Sequence, residues 1–270
     1  TVDVNIEPTV SVSVDFDNVC LTGVSTITSN ITNGSGLYDY QWQASANGTT
    51  GWSDITLNGT SANYTTVATE VGTTYYRLLL TDISNGCSDP MSNVVSIIVN
   101  NQPAVSIAVD NDILCVGGTS TLTSTITNGS GIYNFQWQSS PTGSGSWSNI
   151  VLNGTAANYN ALTNVVGTTF YRLLVTDLSN GCEDPMSNTV SVTITNQPTV
   201  DIEADNANLC VGGSSILTST ITDGSGVFNY QWQSSPDGLG NWTSIAVNGT
   251  LPTYTVPTLV AGTTFYRVIV

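Results

Sequence analysis

Hydrophobic and polar residues alternate along this chain in short segments, without the period of an amphipathic helix. Between residues 104 and 195 the segments are AVSIAV, TLTSTIT, IYNFQWQ, SWSNIVL, NYNAL, TTFYRLLVT and NTVSVTIT. They are rich in Thr, Val, Ile and aromatic residues, which favour β-strands. The breaks between them carry Asn-Gly and Gly-Ser pairs, which supply the positive φ of tight turns. The pattern predicts an all-β unit of seven strands.

The same pattern recurs at a constant step of 95 residues, the distance between Cys20, Cys115 and Cys210. Four further series keep this step: Cys87 and Cys182; Trp42, Trp137 and Trp232; Trp52, Trp147 and Trp242; Arg77, Arg172 and Arg267. Seven strands in a unit of this size predict tandem immunoglobulin-like β-sandwiches that form an extended array.

The alignment of the copies sets the expected boundaries. Residues 1–7 match the last strand of a preceding repeat, and repeat 1 spans 8–101, repeat 2 spans 102–196 and repeat 3 spans 197–270. Repeat 3 is expected to be truncated before its last strand, so we interpret the chain as an excerpt from a longer array. The alternative is that the opening strand completes repeat 3 of a neighbouring chain by strand donation.

Composition excludes several classes of protein. Hydrophobic residues make up 40% of the chain, which excludes general disorder. Only 3 Lys and Arg stand against 19 Asp and Glu, a net charge of −16 that disfavours nucleic acid as a partner. No apolar run is long enough for a membrane-spanning helix, so membrane insertion is not expected. With no His, no Lys and no nucleophile elbow, zinc motif or phosphate loop, we predict no enzyme and no obligatory cofactor.

The two tryptophan series carry different predictions. The first, on the third strand of each unit, is expected at the centre of the sandwich as a structural residue (Trp42, Trp137, Trp232). The second lies near Gly- and Ser-rich turns, where packing at the edge of the core and stacking on a sugar are both open (Trp52, Trp147, Trp242). The arginines follow an aromatic pair and are predicted to be structural, each reaching a carboxylate or an aromatic face (Arg77, Arg172, Arg267).

The cysteines allow two disulfide patterns. Pairing inside each repeat would join Cys20 to Cys87 and Cys115 to Cys182. In an immunoglobulin-like sandwich, however, the two loops that hold such a pair lie at opposite ends, roughly 25 Å apart, whereas a disulfide needs Cα atoms within about 7 Å. A head-to-tail array brings Cys20 to Cys182 instead and slightly favours this pairing between repeats. Cys210 has no partner in the sequence under either pattern.

Acidic residues flank both cysteine series. Oxygen-rich clusters that meet at a junction would suit Ca²⁺, and the candidate ligands are Asp15, Asp17, Asp110, Asp112, Asp177 and Asp184. The spacing matches no specific calcium loop, so solvated turns are the competing interpretation. The Asn-Gly-Ser/Thr sites at Asn33, Asn58, Asn128, Asn153 and Asn248 are explained by turn chemistry without glycosylation.

Four motifs in combination resemble the Ig-like and PKD-like tandem repeats of giant cell-surface adhesins of Bacteroidota. They are CVGG at 115–118, IYNFQWQ at 132–138, GTTFYR at 167–172 and TDLSNGC at 176–182. The resemblance covers the whole chain. It implies type IX secretion, an extracellular location on the cell surface, and a role in attachment or gliding motility.

Three functions are weighed. The favoured one is a stalk or filament of a cell-surface adhesin, whose partners are the neighbouring repeats and whose targets are surface glycans or other cells. The second is a carbohydrate-binding array that uses the second tryptophan series. Catalysis is the weakest, since only carboxylates remain for acid–base chemistry.

Overall fold

The computed structural model describes residues 4–83 and 87–270, and every regular element in these ranges is a β-strand. Repeat 1 contains β1 (Thr9–Val14), β2 (Asn18–Cys20), β3 (Val24–Thr32), β4 (Tyr38–Ser45), β5 (Ser53–Asp54), β6 (Tyr64–Val67), β7 (Gly72–Asp82) and β8 (Val95–Asn100). Repeat 2 contains β9 (Ala104–Val109), β10 (Ile113–Cys115), β11 (Thr121–Thr127), β12 (Tyr133–Ser140), β13 (Ser148–Asn149), β14 (Tyr159–Asn160), β15 (Gly167–Asp177) and β16 (Val190–Thr195). Repeat 3 contains β17 (Thr199–Ala204), β18 (Ser214–Thr222), β19 (Gln231–Ser235), β20 (Thr243–Ser244), β21 (Thr253–Pro257) and β22 (Phe265–Ile269).

Each of the first two repeats is a sandwich of a three-stranded and a five-stranded sheet. In repeat 1 the orders are β1-β3-β6 and β2-β8-β7-β4-β5, and repeat 2 has the same two orders. All pairings are antiparallel except those of β2 with β8 and β10 with β16. Repeat 3 has the sheets β17-β18-β21 and β20-β19-β22. The predicted fold of tandem immunoglobulin-like sandwiches is confirmed.

Strand lengths differ from the predicted pattern in three places of repeat 2, and repeat 1 shares two of these differences, because β6 keeps four residues. The three-residue strands β2 and β10 were not predicted, because they are too short to show an alternation. The segments SWSNIVL and NYNAL contain only two strand residues each, in β13 and β14. After β13 the chain folds back over Trp137, whose N–H donates to Gly154 O and whose carbonyl accepts from Ile150 N. The bond from Ile150 continues the register of β12 and β13, whereas the bond to Gly154 departs from it, so regular pairing ends there.

The first tryptophan series lies at the centre of each sandwich, as predicted. Trp42, Trp137 and Trp232 are fully buried, each in a separate core cluster. The Trp137 Nε1–H donates to Ala156 O at 2.9 Å, and its ring lies 6.0 Å from that of Tyr159. A buried indole with a satisfied N–H is a structural residue.

The five Asn-Gly turns behave as the sequence indicated. Asn33, Asn58, Asn128, Asn153 and Asn248 all have φ between 57° and 65°. Asn tolerates this left-handed conformation better than other non-glycine residues, so turn geometry accounts for these positions.

Candidate functional site: the junction of repeats 1 and 2

A disulfide joins the two repeats at their junction. Cys20, at the end of β2, bonds Cys182, in the loop after β15, with 4.8 Å between the Cα atoms. The favoured pairing between repeats is confirmed, and the alternative within repeats is wrong because Cys87 and Cys115 remain free thiols. Cys20 is fully buried, so the bond lies inside the interface.

Backbone and amide groups of the 179–182 loop continue the contact around the disulfide. The Cys20 N–H donates to Asn180 O at 3.1 Å, and the Val24 N–H donates to the Asn180 side-chain oxygen at 3.0 Å. A second loop of repeat 2 also takes part, because the side-chain amide of Asn18 donates to Ser130 O at 3.1 Å. The loop of repeat 2 is thus hydrogen-bonded along the β2–β3 turn of repeat 1.

Gln102, in the linker between the repeats, bonds to both sides of the junction. Its side-chain amide donates to Leu21 O at 3.0 Å and to Gly181 O at 2.8 Å. Its side-chain oxygen accepts from the Glu183 N–H at 2.8 Å. The equivalent Gln197 donates to Val116 O at 2.9 Å, so the next linker repeats part of this arrangement.

Two glycines, one from each repeat, let the backbones touch. Gly181 has φ +75°, and a Cβ built there would lie 2.2 Å from Gly23 Cα. A Cβ on Gly23 would lie 2.5 Å from Asn180 O. Both overlaps are with backbone atoms, which cannot move aside as a flexible side chain can.

We therefore expect Gly23→Ala to separate the junction and to lower the yield of the Cys20–Cys182 disulfide severalfold. Gly213→Ala is the matched control, since a Cβ in the equivalent turn of repeat 3 meets nothing closer than 3.1 Å. Free thiols counted after refolding in air give the measurement. Full disulfide formation in Gly23→Ala would show that close backbone approach is not needed.

Asp177 holds the loop that carries Cys182. It is buried, and its carboxylate accepts from the Ser130 N–H at 2.8 Å, the Ser130 hydroxyl at 2.5 Å and the Ser179 N–H at 3.0 Å. One carboxylate thus joins two loops of repeat 2 directly behind the disulfide.

The candidate calcium ligands do not assemble as one cluster across the junction. In the described residues the one group of three potential metal ligands is Cys20, Asp177 and Cys182, and its two cysteines form the disulfide. Asp15 and Asp110 cap turns, Asp17 and Asp112 contribute backbone carbonyls to Ile98 N and Thr193 N, and Asp184 accepts from the Asp177 N–H. Calcium binding stays a prediction, while hydrogen bonding accounts for these contacts.

The turn-capping aspartates have lowered pKa values. Asp110 accepts from the Thr121 and Asn111 N–H groups at 2.7 Å each, and these bonds lower the pKa of its carboxyl. The Ser215 hydroxyl and the Ile216 N–H lower the pKa of Asp205. At Asp15 slight burial raises the pKa, but bonds from Thr26, Phe16 and Ser25 outweigh it and the net shift is downward.

A carboxyl whose folded pKa is depressed stabilises the fold above its ordinary pKa of 3.8, and this contribution is lost as pH falls through the lowered value. We expect the melting temperature to fall below about pH 4. The triple variant Asp15→Asn, Asp110→Asn, Asp205→Asn should flatten that fall, because Asn keeps an acceptor and does not titrate. A scan of melting temperature against pH measures it, and parallel profiles would contradict the assignment.

Each arginine covers one face of a second-series tryptophan. Arg77 lies 4.2 Å from the ring centroid of Trp52, and Arg172 and Arg267 lie 4.3 Å from those of Trp147 and Trp242. The Arg172 Nε–H also donates to the Gln138 side-chain oxygen at 2.7 Å. This is the aromatic partner that the sequence indicated. A sugar would have to displace the guanidinium or use the other ring face, and stacking on a sugar stays untested.

Sequence reasoning missed Gln102, Asn180, Gly23 and Gly181. A sequence signal for Gln102 was available, because Gln precedes Pro at both linkers, 102–103 and 197–198. The other three take their role from the way two repeats meet, which no local pattern reveals.

A family model described as "Domain of unknown function (DUF8696)" matches residues 11–101, 104–196 and 201–270. No curated protein matches the chain. Among the described residues no helix has the length and apolar character to cross a bilayer.

Among solved structures, domains A168–A170 of titin are similar at 15% identity, covering 97% of this chain and 91% of that one, with a TM-score of 0.45. Fibronectin(III)-like modules of Clostridium thermocellum CbhA are similar at 14% identity, covering 68% and 92%, with a TM-score of 0.32. Murine CEACAM1b is similar at 16%, covering 69% and 100%, with a TM-score of 0.34. All three TM-scores are below 0.5. The assignment of the fold therefore depends on the strand order of the sheets described above and not on these similarities.

Proposed function

The chain belongs to the DUF8696 family, whose domain it carries three times in tandem, and we propose that these domains are the non-enzymatic spacer units of an extracellular stalk or filament. The observation that carries the proposal is the Cys20–Cys182 disulfide, because it joins neighbouring repeats and leaves each core intact. A covalent bond between units resists their separation under load, which a spacer of an adhesin requires.

The contacts around the bond support the same role. The disulfide, the Gln102 bonds and the Asn180 bonds lie on one end of each repeat, so they fix orientation as well as distance. Disulfides persist in oxidising compartments, which favours an extracellular location. The resemblance of the four motifs to Bacteroidota adhesin repeats favours display on the cell surface, with surface glycans or other cells as targets.

Particle shape tests the proposal. At roughly 40 Å per repeat, from strand length plus loops, the three-repeat chain should form a rod about 120 Å long. Negative-stain images and small-angle X-ray scattering measure this length, with the Cys20→Ser, Cys182→Ser double variant as control. The control should show a broader distribution of angles between repeats 1 and 2. A compact particle, or equal angular spread in both proteins, would contradict a stiffened spacer.

Location is tested separately. An antibody raised against repeat 2 should label intact cells of the source organism, and extracellular protease should remove the label. Signal that appears only after cell lysis would contradict surface display.

A further inference from the structure

The guanidinium of Arg172 is held in one orientation, and most of its donors are left open. Its Nε–H donates to the Gln138 side-chain oxygen at 2.7 Å, and the Gln138 amide donates in turn to the Asn149 side-chain oxygen at 2.7 Å. Its Cζ lies 4.3 Å from the Trp147 ring centroid. An arginine has five N–H donors in a rigid planar fork. Those on the two Nη atoms have no hydrogen-bond partner among the described residues.

The other two arginines are held in the same way. Arg77 donates through Nε to the Gln43 side-chain oxygen at 2.8 Å, and Arg267 donates to that of Gln233 at 2.8 Å. The chain contains 19 Asp and Glu, yet in the part that the structure describes no arginine forms an ion pair with any of them. Each guanidinium is thus fixed through its Nε and the indole, while the edge that pairs with carboxylates stays open.

Arg172 lies in a long stretch without acidic residues. It is the only charged residue between Asp112 and Asp177 in the sequence. Asp177 lies at the far end of β15, roughly 17 Å from Arg172 at ~3.4 Å per residue. Charges on the surface are screened beyond about 8 Å at physiological salt. Arg172 therefore presents a local positive charge, although the net charge of the chain is −16.

The equivalent site in repeat 1 is less positive. Asp54 takes the place of Asn149, and its carboxylate accepts from the Gln43 amide at 2.7 Å. A negative charge therefore lies one side chain away from Arg77, whereas the corresponding group in repeat 2 is a neutral amide. An anion should bind more tightly beside Arg172 than beside Arg77.

We propose that the Arg172–Trp147–Gln138 cluster binds the carboxylate of an acidic sugar, a uronate, in a surface polysaccharide. A carboxylate in the plane of the guanidinium forms two parallel hydrogen bonds with it, and it reaches this edge without displacing the guanidinium from the indole. Ser148 and Asn149 are exposed beside the cluster and offer hydroxyl and amide groups to the hydroxyls of the sugar.

Two features favour a polysaccharide over an acidic peptide. The edge strand beside the cluster, β13, has only two residues, which is too short for a peptide to add as a further strand. The cluster also recurs in each repeat, and a polymer with a carboxylate on successive sugars can occupy several such sites at once. This binding takes its setting from the proposed stalk and its glycan targets. It fails separately, because a rod that binds no uronate would keep its length and its angular spread.

Isothermal titration calorimetry of the chain with polygalacturonate and with alginate, in EDTA to remove divalent cations, tests the site. We expect saturable binding of both uronate polymers. Methyl-esterified polygalacturonate should bind about tenfold more weakly or less tightly still, because the ester removes the charge that the fork pairs with. Binding of neither uronate polymer, or equal binding of the ester, would overturn the proposal. Tighter binding of polyglutamate would overturn it in favour of an acidic peptide.

A lysine substitution tests the fork itself. Arg172→Lys keeps the positive charge and removes the planar pair of donors, so the affinity for polygalacturonate should fall about tenfold. Arg77→Lys is the matched control and should cause a smaller loss, because Asp54 already weakens that site. Unchanged affinity in Arg172→Lys, or a larger loss in Arg77→Lys, would contradict the assignment to repeat 2.

Gln138→Glu separates binding from folding. The new carboxylate lies where Gln138 accepts from Arg172, so it should pair with the guanidinium inside the chain and lower the affinity for polygalacturonate at least as far as Arg172→Lys does. The melting temperature should stay the same or rise, since the contact with Trp147 is kept. Full affinity in this variant would show that the guanidinium does not hold the sugar.

Discussion

Pulled from its two ends, the oxidised chain is expected to extend by roughly 530–580 Å less than the reduced chain. The disulfide spans 162 residues of sequence, and an extended chain measures at most ~3.3–3.6 Å per residue. Force applied at the ends passes from Cys20 to Cys182 through the S–S bond, so the residues between them carry no load. Residues 21–181 therefore contribute no length until the bond is reduced.

Single-molecule force spectroscopy with and without a reductant gives the measurement. The Cys87→Ser, Cys115→Ser variant removes both partners of the alternative pairing and should keep the full difference in length. The Cys20→Ser, Cys182→Ser variant should extend equally with and without reductant. If the wild-type chain reached the same length in both conditions, the bond would lie outside the force path and the mechanical role would fail.

The fold and the disulfide partner were predictable because both follow from periodicity. Period-two alternation gave the strands, the step of 95 residues gave the tandem order, and the opposite ends of a sandwich directed Cys20 towards Cys182. The features that were not predicted are either very short or depend on residues far apart in the sequence. β2 has three residues and so no readable alternation, and the close approach of Gly23 to Gly181 depends on how one repeat is rotated against the next.

The partners of the arginines were predictable only in part. Their recurrence on an apolar strand indicated a structural partner, and an aromatic face was one of the two predicted. The choice of Trp147 for Arg172 depends on β12 pairing with β15 in the register that sets Gln138 opposite Arg172. That register orients the guanidinium, and no feature of the sequence around Arg172 specifies it.

The two tryptophans of repeat 2 should respond very differently to truncation. Trp137→Ala removes a fully buried indole and is expected to cost about 3–5 kcal/mol of unfolding free energy. Trp147→Ala removes a half-buried ring covered by Arg172 and should cost about 1 kcal/mol. Since a single domain is stable by only about 5–15 kcal/mol, the first change should leave repeat 2 close to unfolding while the second leaves it folded.

Urea denaturation of both variants, followed by circular dichroism, separates these outcomes. In Trp137→Ala repeat 2 should unfold in a separate transition at lower urea, while repeat 3 keeps its midpoint, because each repeat has its own core cluster. Repeat 1 should show a smaller change, because Cys20–Cys182 and Gln102 attach it to an unstable neighbour. If all three repeats lost stability together, the cores would be energetically continuous and the chain would not be an array of independent units. If Trp147→Ala were the more damaging change, the Arg172–Trp147 face would be the main stabilising contact.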